Sequence, residues 1–282
     1  MNRSRRASMA QETLQILEQG SYLNPAGKRV VISADLNAAI QRTRFYKEAD
    51  WADSWSESAR NPGTEQKNAV TTITVQNMTT LAAARELLEQ SDQAVLGLNF
   101  ASAKNPGGGF LGGSQAQEES LARSSGLYAC LTAVPEMYSI GRSCGSCFYT
   151  HSLVYSPAVP VFRSDDGTLL NDFHNVSFIT AAAVNAGCVQ KQEPQNAGRI
   201  TEVMRERSRR VLQLAAQLGY QRLVLGAWGC GVFQNDPATI AQLFDDHLQG
   251  AFAGVFQQVL FAVLDKSDNG PMISPFRQRF ER

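Results

Sequence analysis

Two short, unbroken apolar runs constrain this chain most: AVLGLNF at 94–100 and RLVLG at 222–226. Neither alternates with polar residues, and both are shorter than a buried helix. Runs of this kind read as strands covered on both faces. A sheet buried on both sides needs helices to cover it, and the sequence supplies them. Residues 79–89 place Leu81, Ala84 and Leu88 at helical spacing. Ile200, Val203, Met204, Val211, Ala215 and Leu218 mark one face of a long helix. Asp236-Pro237 starts another, with a capping side chain followed by proline at the first helical position. The β-branched TTITV at 71–75 reads as a strand, as do 152–155, 176–181 and 255–264. Residues 116–132 read as a helix. Alternation of β and α from residue 69 onward predicts an α/β sandwich with a mixed sheet.

Residues 1–68 have a different texture and read as an N-terminal accessory segment packed on a main body of 69–282. A helix is expected over 5–18, with Leu14 and Leu17 on its apolar side and Gly20 ending it. A short strand at 29–33 follows, then Asp35 as the cap of a helix over 36–44. The stretch 50–66 is polar, holds Trp51, Trp55, Pro62 and Gly63, and reads as a loop. The 282 residues are 43% apolar and balance 26 Lys+Arg against 26 Asp+Glu, which excludes a disordered chain and a general DNA coat. No apolar run is long enough to span a bilayer. No apolar segment follows the basic start (Arg3, Arg5, Arg6), so no secretory signal is read and a reducing cytoplasm is expected.

Five cysteines (Cys130, Cys144, Cys147, Cys188, Cys230) are an odd number, which with no export signal predicts free thiols rather than a disulfide framework. Cys144 and Cys147 form one C-x-x-C. A zinc site needs two further ligands, and His151, His174 and His247 offer no second pair, so no metal is expected. His247 follows Ile240, Leu243 and Phe244 at helical spacing and reads as a histidine at the core edge. The arginines from 199 to 210 alternate with Glu202 and Glu206 and read as a solvated helix face.

Chemistry concentrates in residues 99–119, NFASAKNPGGGFLGGSQAQEE. The stretch leaves a buried strand and enters a helix, and ligands of open α/β sheets sit at strand carboxyl ends. Five of the nine residues from Asn105 to Gly113 are glycine, so backbone N–H groups can approach an anion, aided by the helix N-terminus. Gln117-Glu118-Glu119 then opens the helix. Two acidic residues there also suit the helix dipole. Adjacent helix positions differ by about 100°, however, so one carboxylate can face the loop while the other turns elsewhere. A glutamate beside bound phosphates keeps its proton more readily and suits a general acid. A second loop, GAWGCGVF at 226–233, also leaves a buried strand and precedes a capped helix. Two such loops suit a diphosphate, with Trp228 and Phe233 as flat surface for a sugar or base. Cys230 reads as a small loop residue rather than a nucleophile, because no histidine lies near it in sequence.

GGG, seven residues, then QEE, followed later by GAWGCGVF-x-N-D-P, resembles the poly(ADP-ribose) glycohydrolase family in its compact bacterial form, over about residues 20–270. The resemblance implies a macrodomain-like three-layer α/β/α sandwich with a mixed sheet and an N-terminal helical extension. It places Glu119 on the catalytic glutamate and Glu118 on the neighbour that helps place the distal ribose. Gly107, Gly108 and Gly109 fall on the first ligand loop, with Gln117 beside the pair. Gly226, Trp228, Gly229, Cys230, Gly231, Val232 and Phe233 fall in the diphosphate loop, Phe233 near the distal ribose. Asn99 and Ser102 match positions ahead of the glycines, with Asn105 a rival. VQNMT at 75–79 resembles the strand end where an acidic residue usually reads adenine; here Asn77 stands instead. The implied reaction is hydrolysis of the ribose–ribose O-glycosidic bond, without cofactor or metal. The implied partners are poly(ADP-ribose), ADP-ribose and ADP-ribosylated proteins, with no membrane and no sequence-specific nucleic acid, for a monomer acting in the DNA damage response. Two other readings share the loops: a non-catalytic ADP-ribose reader, and a hydrolase of mono-ADP-ribosylated protein. A zinc or redox protein built on Cys144 and Cys147 is a further alternative.

Overall fold

The computed structural model describes residues 1–50 and 70–281. The strands among them are β1 (Ser21–Leu23), β2 (Arg29–Val31), β3 (Arg44–Tyr46), β4 (Thr72–Gln76), β5 (Val95–Phe100), β6 (Leu153–Arg163), β7 (Leu169–Ala181), β8 (Arg222–Leu225) and β9 (Gln258–Ala262). The helices are α1 (Arg3–Gln19), α2 (Ser33–Arg42), α3 (Thr80–Gln90), α4 (Gln117–Ser124), α5 (Leu127–Thr132), α6 (Pro135–Ser143), α7 (Ala186–Gln192), α8 (Ile200–Gln217), α9 (Pro237–Gln249) and α10 (Ser274–Phe280). Seven strands form the expected mixed sheet, ordered β3-β6-β7-β5-β8-β9-β4, while β1 and β2 pair as a separate hairpin. The chain divides into two compact units.

The first unit comprises Met1–Tyr46, Asn99–Ser143 and Ser152–Ala181. Its strands pair antiparallel, Phe45 opposite Val154 and Tyr155 opposite Ile179. The N-terminal segment therefore contributes a sheet strand, β3, as well as helices. α1 is capped by the Asn2 side chain, which accepts the Arg5 N–H, and Gly20 ends it in a left-handed conformation. A side chain at Gly20 would put its Cβ 2.6 Å from that of Ser33. The helix buries Ile16 in a cluster with Tyr22, Val30, Ile32 and Phe162, and Ala10 in another with Phe110 and Ala122.

Two helix expectations are corrected here. α2 starts earlier, at Ser33, with apolar Ile32 in the cap position and no side-chain cap; Asp35 lies inside the first turn, where its carboxylate accepts the Asn175 amide at 2.8 Å. The helix expected over 116–132 is two helices. Ser125 leaves helical geometry and bridges to Val161, and the Gly126 N–H goes to the Pro160 carbonyl. The Ser125 hydroxyl donates to the Leu121 carbonyl and accepts the Leu127 N–H, so one side chain ends α4 and starts α5.

The second unit comprises Lys47–Leu98, Cys144–His151 and Ala182–Arg282. Its strands are parallel: Val95 pairs with Arg222, and Val259 with both Leu223 and Ile73. The strand expected at 255–264 is shorter, over Gln258–Ala262. α3 is capped by Thr79 and α9 by Asp236, whose carboxylate accepts the Thr239 N–H at 2.8 Å. α10 was not expected; it brings Phe276 and Phe280 onto Phe261, with centroids at 5.4 and 4.5 Å. Of the polar stretch 50–66, all but Asp50 lies outside the described residues.

His247 is buried at the core edge as expected, its Nε2 close to the Arg205 carbonyl and the Ser208 hydroxyl. Arg209 and Arg210 both pair with Glu206, and Arg205 pairs with Asp246. Arg207 corrects the solvated-face reading: it is fully buried and donates to the Ala182 and Phe148 carbonyls. The expectation of free thiols is also corrected. A disulfide joins Cys147 to Cys188 across 41 residues, with Cα atoms 5.8 Å apart. Such proximity is set by tertiary structure and leaves no trace in spacing. Cys130, Cys144 and Cys230 are free.

Candidate active site

The apolar run of β5 delivers Asn99 to the end of a buried strand, where its amide is enclosed. The chain then turns at Ser102, whose hydroxyl accepts the N–H groups of Lys104 and Asn105. The Asn105 carbonyl accepts the Gly108 N–H, so Asn105 shapes the loop through its backbone. Gly107 and Gly108 adopt φ of 68° and 61°, a region that favours glycine. At Gly108 a side chain would also displace the carboxylate: its Cβ would lie 2.4 Å from Glu119 Oε1. This close backbone approach lets the next residue, Gly109, donate its N–H to Glu119 Oε1 at 3.0 Å.

Gln117, Glu118 and Glu119 open α4, and the two carboxylates diverge as helix geometry requires. Glu118 is only 3% exposed, whereas Glu119 is half-buried against the glycine loop. Glu118 Oε2 accepts the Ser102 N–H at 2.6 Å and Oε1 accepts from the Asn99 amide at 3.3 Å. The same Asn99 amide reaches the Thr180 hydroxyl at 3.1 Å. Burial pushes the Glu118 carboxyl up to about 8, with the Glu119 charge adding to it; the Ser102 N–H, Asn99 amide and Gly107 N–H oppose the rise. Glu118 thus keeps its proton to higher pH than an ordinary glutamate. The Gln117 side chain accepts the Phe100 N–H at 2.8 Å and ties the helix start to the strand end. Arg123, on the next turn, donates to the Ser114 carbonyl at 2.7 Å and to the Gln115 side chain.

The second unit holds the second loop, after β8. Gly226 accepts the Trp228 N–H through its carbonyl. Trp228 is 0% exposed, which corrects its expected role as a surface for sugar or base: the indole belongs to the core. Cys230 is buried, and burial drives its thiol far above the ordinary range, the Asp236 charge adding to this. A neutral, enclosed thiol fits the loop-residue reading and not a nucleophile. Gly229 has φ 74°, and its Cβ would meet Ala183 Cβ at 2.5 Å and Asn235 Nδ2 at 2.6 Å. Asn235, not singled out from sequence, secures the loop by donating to the Val184 and Gly229 carbonyls. Gly231 and Val232 stand at the surface, Val232 81% exposed. Phe233 is half-buried with its ring 6.0 Å from that of Tyr149, and its carbonyl accepts the Gly187 N–H. Tyr149 was also missed. It has φ 57° in an irregular stretch, so no periodicity marks it.

Asn77 sits at the exit of β4 with its amide committed to backbone. Nδ2 donates to the Asp265 carbonyl at 2.7 Å, and Oδ1 accepts the Asp265 N–H at 2.9 Å. Among the described residues, no group of three or more His, Cys, Asp or Glu side chains is placed to hold a metal ion, and no helix is long and apolar enough to cross a membrane.

The mixed sheet and the carboxylate pair set against a glycine-lined strand end define an α/β protein of macrodomain-like build with a glutamate site. The chain belongs to the family of microbial-type PARG catalytic domains, whose family model matches residues 10–164. It is similar to the crystal structure of poly(ADP-ribose) glycohydrolase (PARG) from Thermomonospora curvata, at 44% identity and a TM-score of 0.92, covering 99% of this chain and 100% of that one. The same protein bound to the inhibitor ADP-HPD matches at 44% identity and a TM-score of 0.90, covering 99% and 100%. PARG from Deinococcus radiodurans in complex with ADP-ribose matches at 46% identity and a TM-score of 0.81, covering 87% of this chain and 97% of that one. No curated protein matches the chain.

Proposed function

We propose that the chain hydrolyses ribose–ribose O-glycosidic bonds of poly(ADP-ribose) and releases ADP-ribose, with Glu119 as general acid and then base. One observation carries the reading. Glu119 is the accessible member of the carboxylate pair, held by Gly109 N–H against a loop in which a Cβ at Gly108 would run into its carboxylate. Glu118 is enclosed, its carboxyl pushed up by burial, and fixed at both oxygens. It serves as a positioner and not as the second catalytic carboxylate of ordinary glycosidases, in which both flank the bond. The family assignment and the solved relatives, one with ADP-ribose and one with ADP-HPD, support the same substrate class.

The steps follow from these roles. Glu119 protonates the departing ribose oxygen as positive charge develops at the distal anomeric carbon. The substrate's own diphosphate stabilises that charge. Water attacks, and Glu119 takes its proton. We assign the loop Gly229–Val232, exposed at Gly231 and Val232, to diphosphate contact and Phe233 to the distal ribose. Residues 69–282 are read as the catalytic body and 1–68 as its accessory segment, acting as a monomer on polymer and on ADP-ribosylated protein in the DNA damage response. The cytoplasmic setting read from the sequence stands against the Cys147–Cys188 disulfide, which a reducing compartment disfavours.

Glu119→Gln tests the assignment. The variant keeps the shape and removes the titrating group, so it is expected to bind ADP-ribose as the parent does while turnover of defined poly(ADP-ribose) falls about 10²–10⁴-fold. Release of ADP-ribose at the parent rate sinks the assignment. Binding without turnover by the parent chain itself favours the reader.

A further inference from the structure

We propose that Arg3 and Arg6 are positioning residues for Glu119, acting through the peptide planes of the loop between Gly109 and Ser114. The inference rests on the role given to Glu119 above. Both arginines lie on the first turns of α1 and precede residue 10, where the family match begins.

That first turn carries Arg3, Arg5 and Arg6 and no acidic residue, which runs against the helix dipole. A local preference broken in this way points to another use for the side chains. Arg3 Nε donates to the Gly112 carbonyl at 2.9 Å, and Arg6 Nε donates to the Gly113 carbonyl at 2.8 Å. A second Arg6 nitrogen donates to the Met1 carbonyl at 2.7 Å and steadies the guanidinium. Helix and loop also touch backbone to backbone. A Cβ on Gly113, where φ is 73°, would lie 2.3 Å from the Arg3 carbonyl oxygen.

A peptide group is planar, so fixing its carbonyl fixes its N–H. The Gly113 carbonyl held by Arg6 shares a plane with the Ser114 N–H, which donates to the Gly109 carbonyl at 3.1 Å. The Gly112 carbonyl held by Arg3 shares a plane with the Gly113 N–H, which donates to the Phe110 carbonyl at 3.0 Å. Gly109 in turn gives its own N–H to Glu119. The other side of the loop is held by α4: Arg123 holds the Ser114 carbonyl, and Thr13, further along α1, donates its hydroxyl to the Arg123 carbonyl at 2.6 Å. α1 therefore grips the loop at two successive peptides and, through the Ser114 N–H on the Gly109 carbonyl, anchors the residue whose own N–H, one peptide earlier, meets the catalytic carboxyl.

The test is Arg3→Ala/Arg6→Ala in the full chain, assayed on defined poly(ADP-ribose) beside Glu119→Gln. The expected result is a fall in kcat of about tenfold, since sub-ångström misalignment of an acid reduces turnover on this scale. KM and ADP-ribose affinity should stay within about twofold, and Arg3→Lys/Arg6→Lys, which keeps a cationic donor, should regain most of kcat. A rise in KM at unchanged kcat, with a flatter salt dependence, overturns the proposal in favour of direct polymer contact. So does a kcat within twofold of the parent. Should the double variant fail to fold, Arg6→Ala alone releases the peptide that holds Gly109 and is judged by the same criteria. Activity of Glu119→Gln at the parent level marks a failure of the Glu119 assignment rather than of the arginines.

Discussion

Gly108→Ala perturbs the site at one point. The new Cβ would lie 2.4 Å from Glu119 Oε1 and 3.0 Å from its Cδ. Carbon and oxygen do not sit closer than about 3.0 Å, so the carboxylate must retreat by roughly 0.6 Å or more and strain its bond to Gly109 N–H. Alanine at φ 61° adds about 1–2 kcal/mol of backbone strain. The clash falls on the free end of a side chain, which can swing away, so the loss of stability stays near that figure. In a chain of this size it corresponds to a fall in Tm of a few degrees. Turnover should suffer far more, because an acid displaced by this amount no longer meets the leaving oxygen; a loss of about 10–100-fold in kcat is expected. The assay is initial-rate release of ADP-ribose from defined polymer, with thermal melts on the same preparations. Gly198→Ala is the control: nothing lies within 4 Å of its Cβ, so rate and melt should stay with the parent. A Gly108→Ala protein that folds and keeps more than half the parent kcat would refute the claim that the carboxylate is held against this loop.

Two further outcomes are expected. The Glu118 carboxyl titrates near 8 when folded and near 4.5 when free, so between those values the native state holds the extra proton. Its contribution makes stability fall as pH rises from about 4.5 to about 8 and level off above; Glu118→Gln removes that slope. His151 and His247, both pulled down by burial, slope the other way below about pH 6.5, so the difference between parent and variant in urea unfolding is the quantity to read, and parallel curves would place the proton elsewhere. Cys188→Ser opens a loop spanning 41 residues and should lower stability by up to about 4 kcal/mol on chain-entropy grounds, seen as a lower Tm under non-reducing conditions and no change under reducing ones.

The elements that could be read ahead were those with strong local signals. β5 and β8 are continuous apolar runs, α8 has a long periodic face, and α9 begins with Asp-Pro. The carboxylate pair was readable because a glycine cluster and an acidic helix start lie close together in sequence. What escaped depended on distant partners. Asp35 has the side chain of a cap, but α2 begins at Ser33 and places it in the first turn, facing Asn175 on β7. The break between α4 and α5 needs Pro160 and Val161 on the neighbouring strand. Trp228 resembled a ligand platform because loop aromatics often are, and only the packing of β8's exit encloses it. Asn235 acts on the Val184 and Gly229 carbonyls and Tyr149 meets the Phe233 ring from a distant stretch, roles that leave no spacing to detect. Which member of the Glu118–Glu119 pair turns inward was likewise undecided by periodicity; Asn99 and the Ser102 N–H decide it.

The two-way bond between Asn77 and the backbone of Asp265 limits what can be engineered at the β4 exit. A carboxamide offers one giving and one taking atom to a single residue's main chain; a carboxylate offers only takers. Asn77→Asp would leave the Asp265 carbonyl facing another oxygen, and with it the turn that the Asp265 side chain organises through the Ser267, Met272 and Ile273 N–H groups. Installing an acidic residue at 77 to read a base would therefore demand a redesigned 265–273 segment as well, so the two stretches are free to diverge only together.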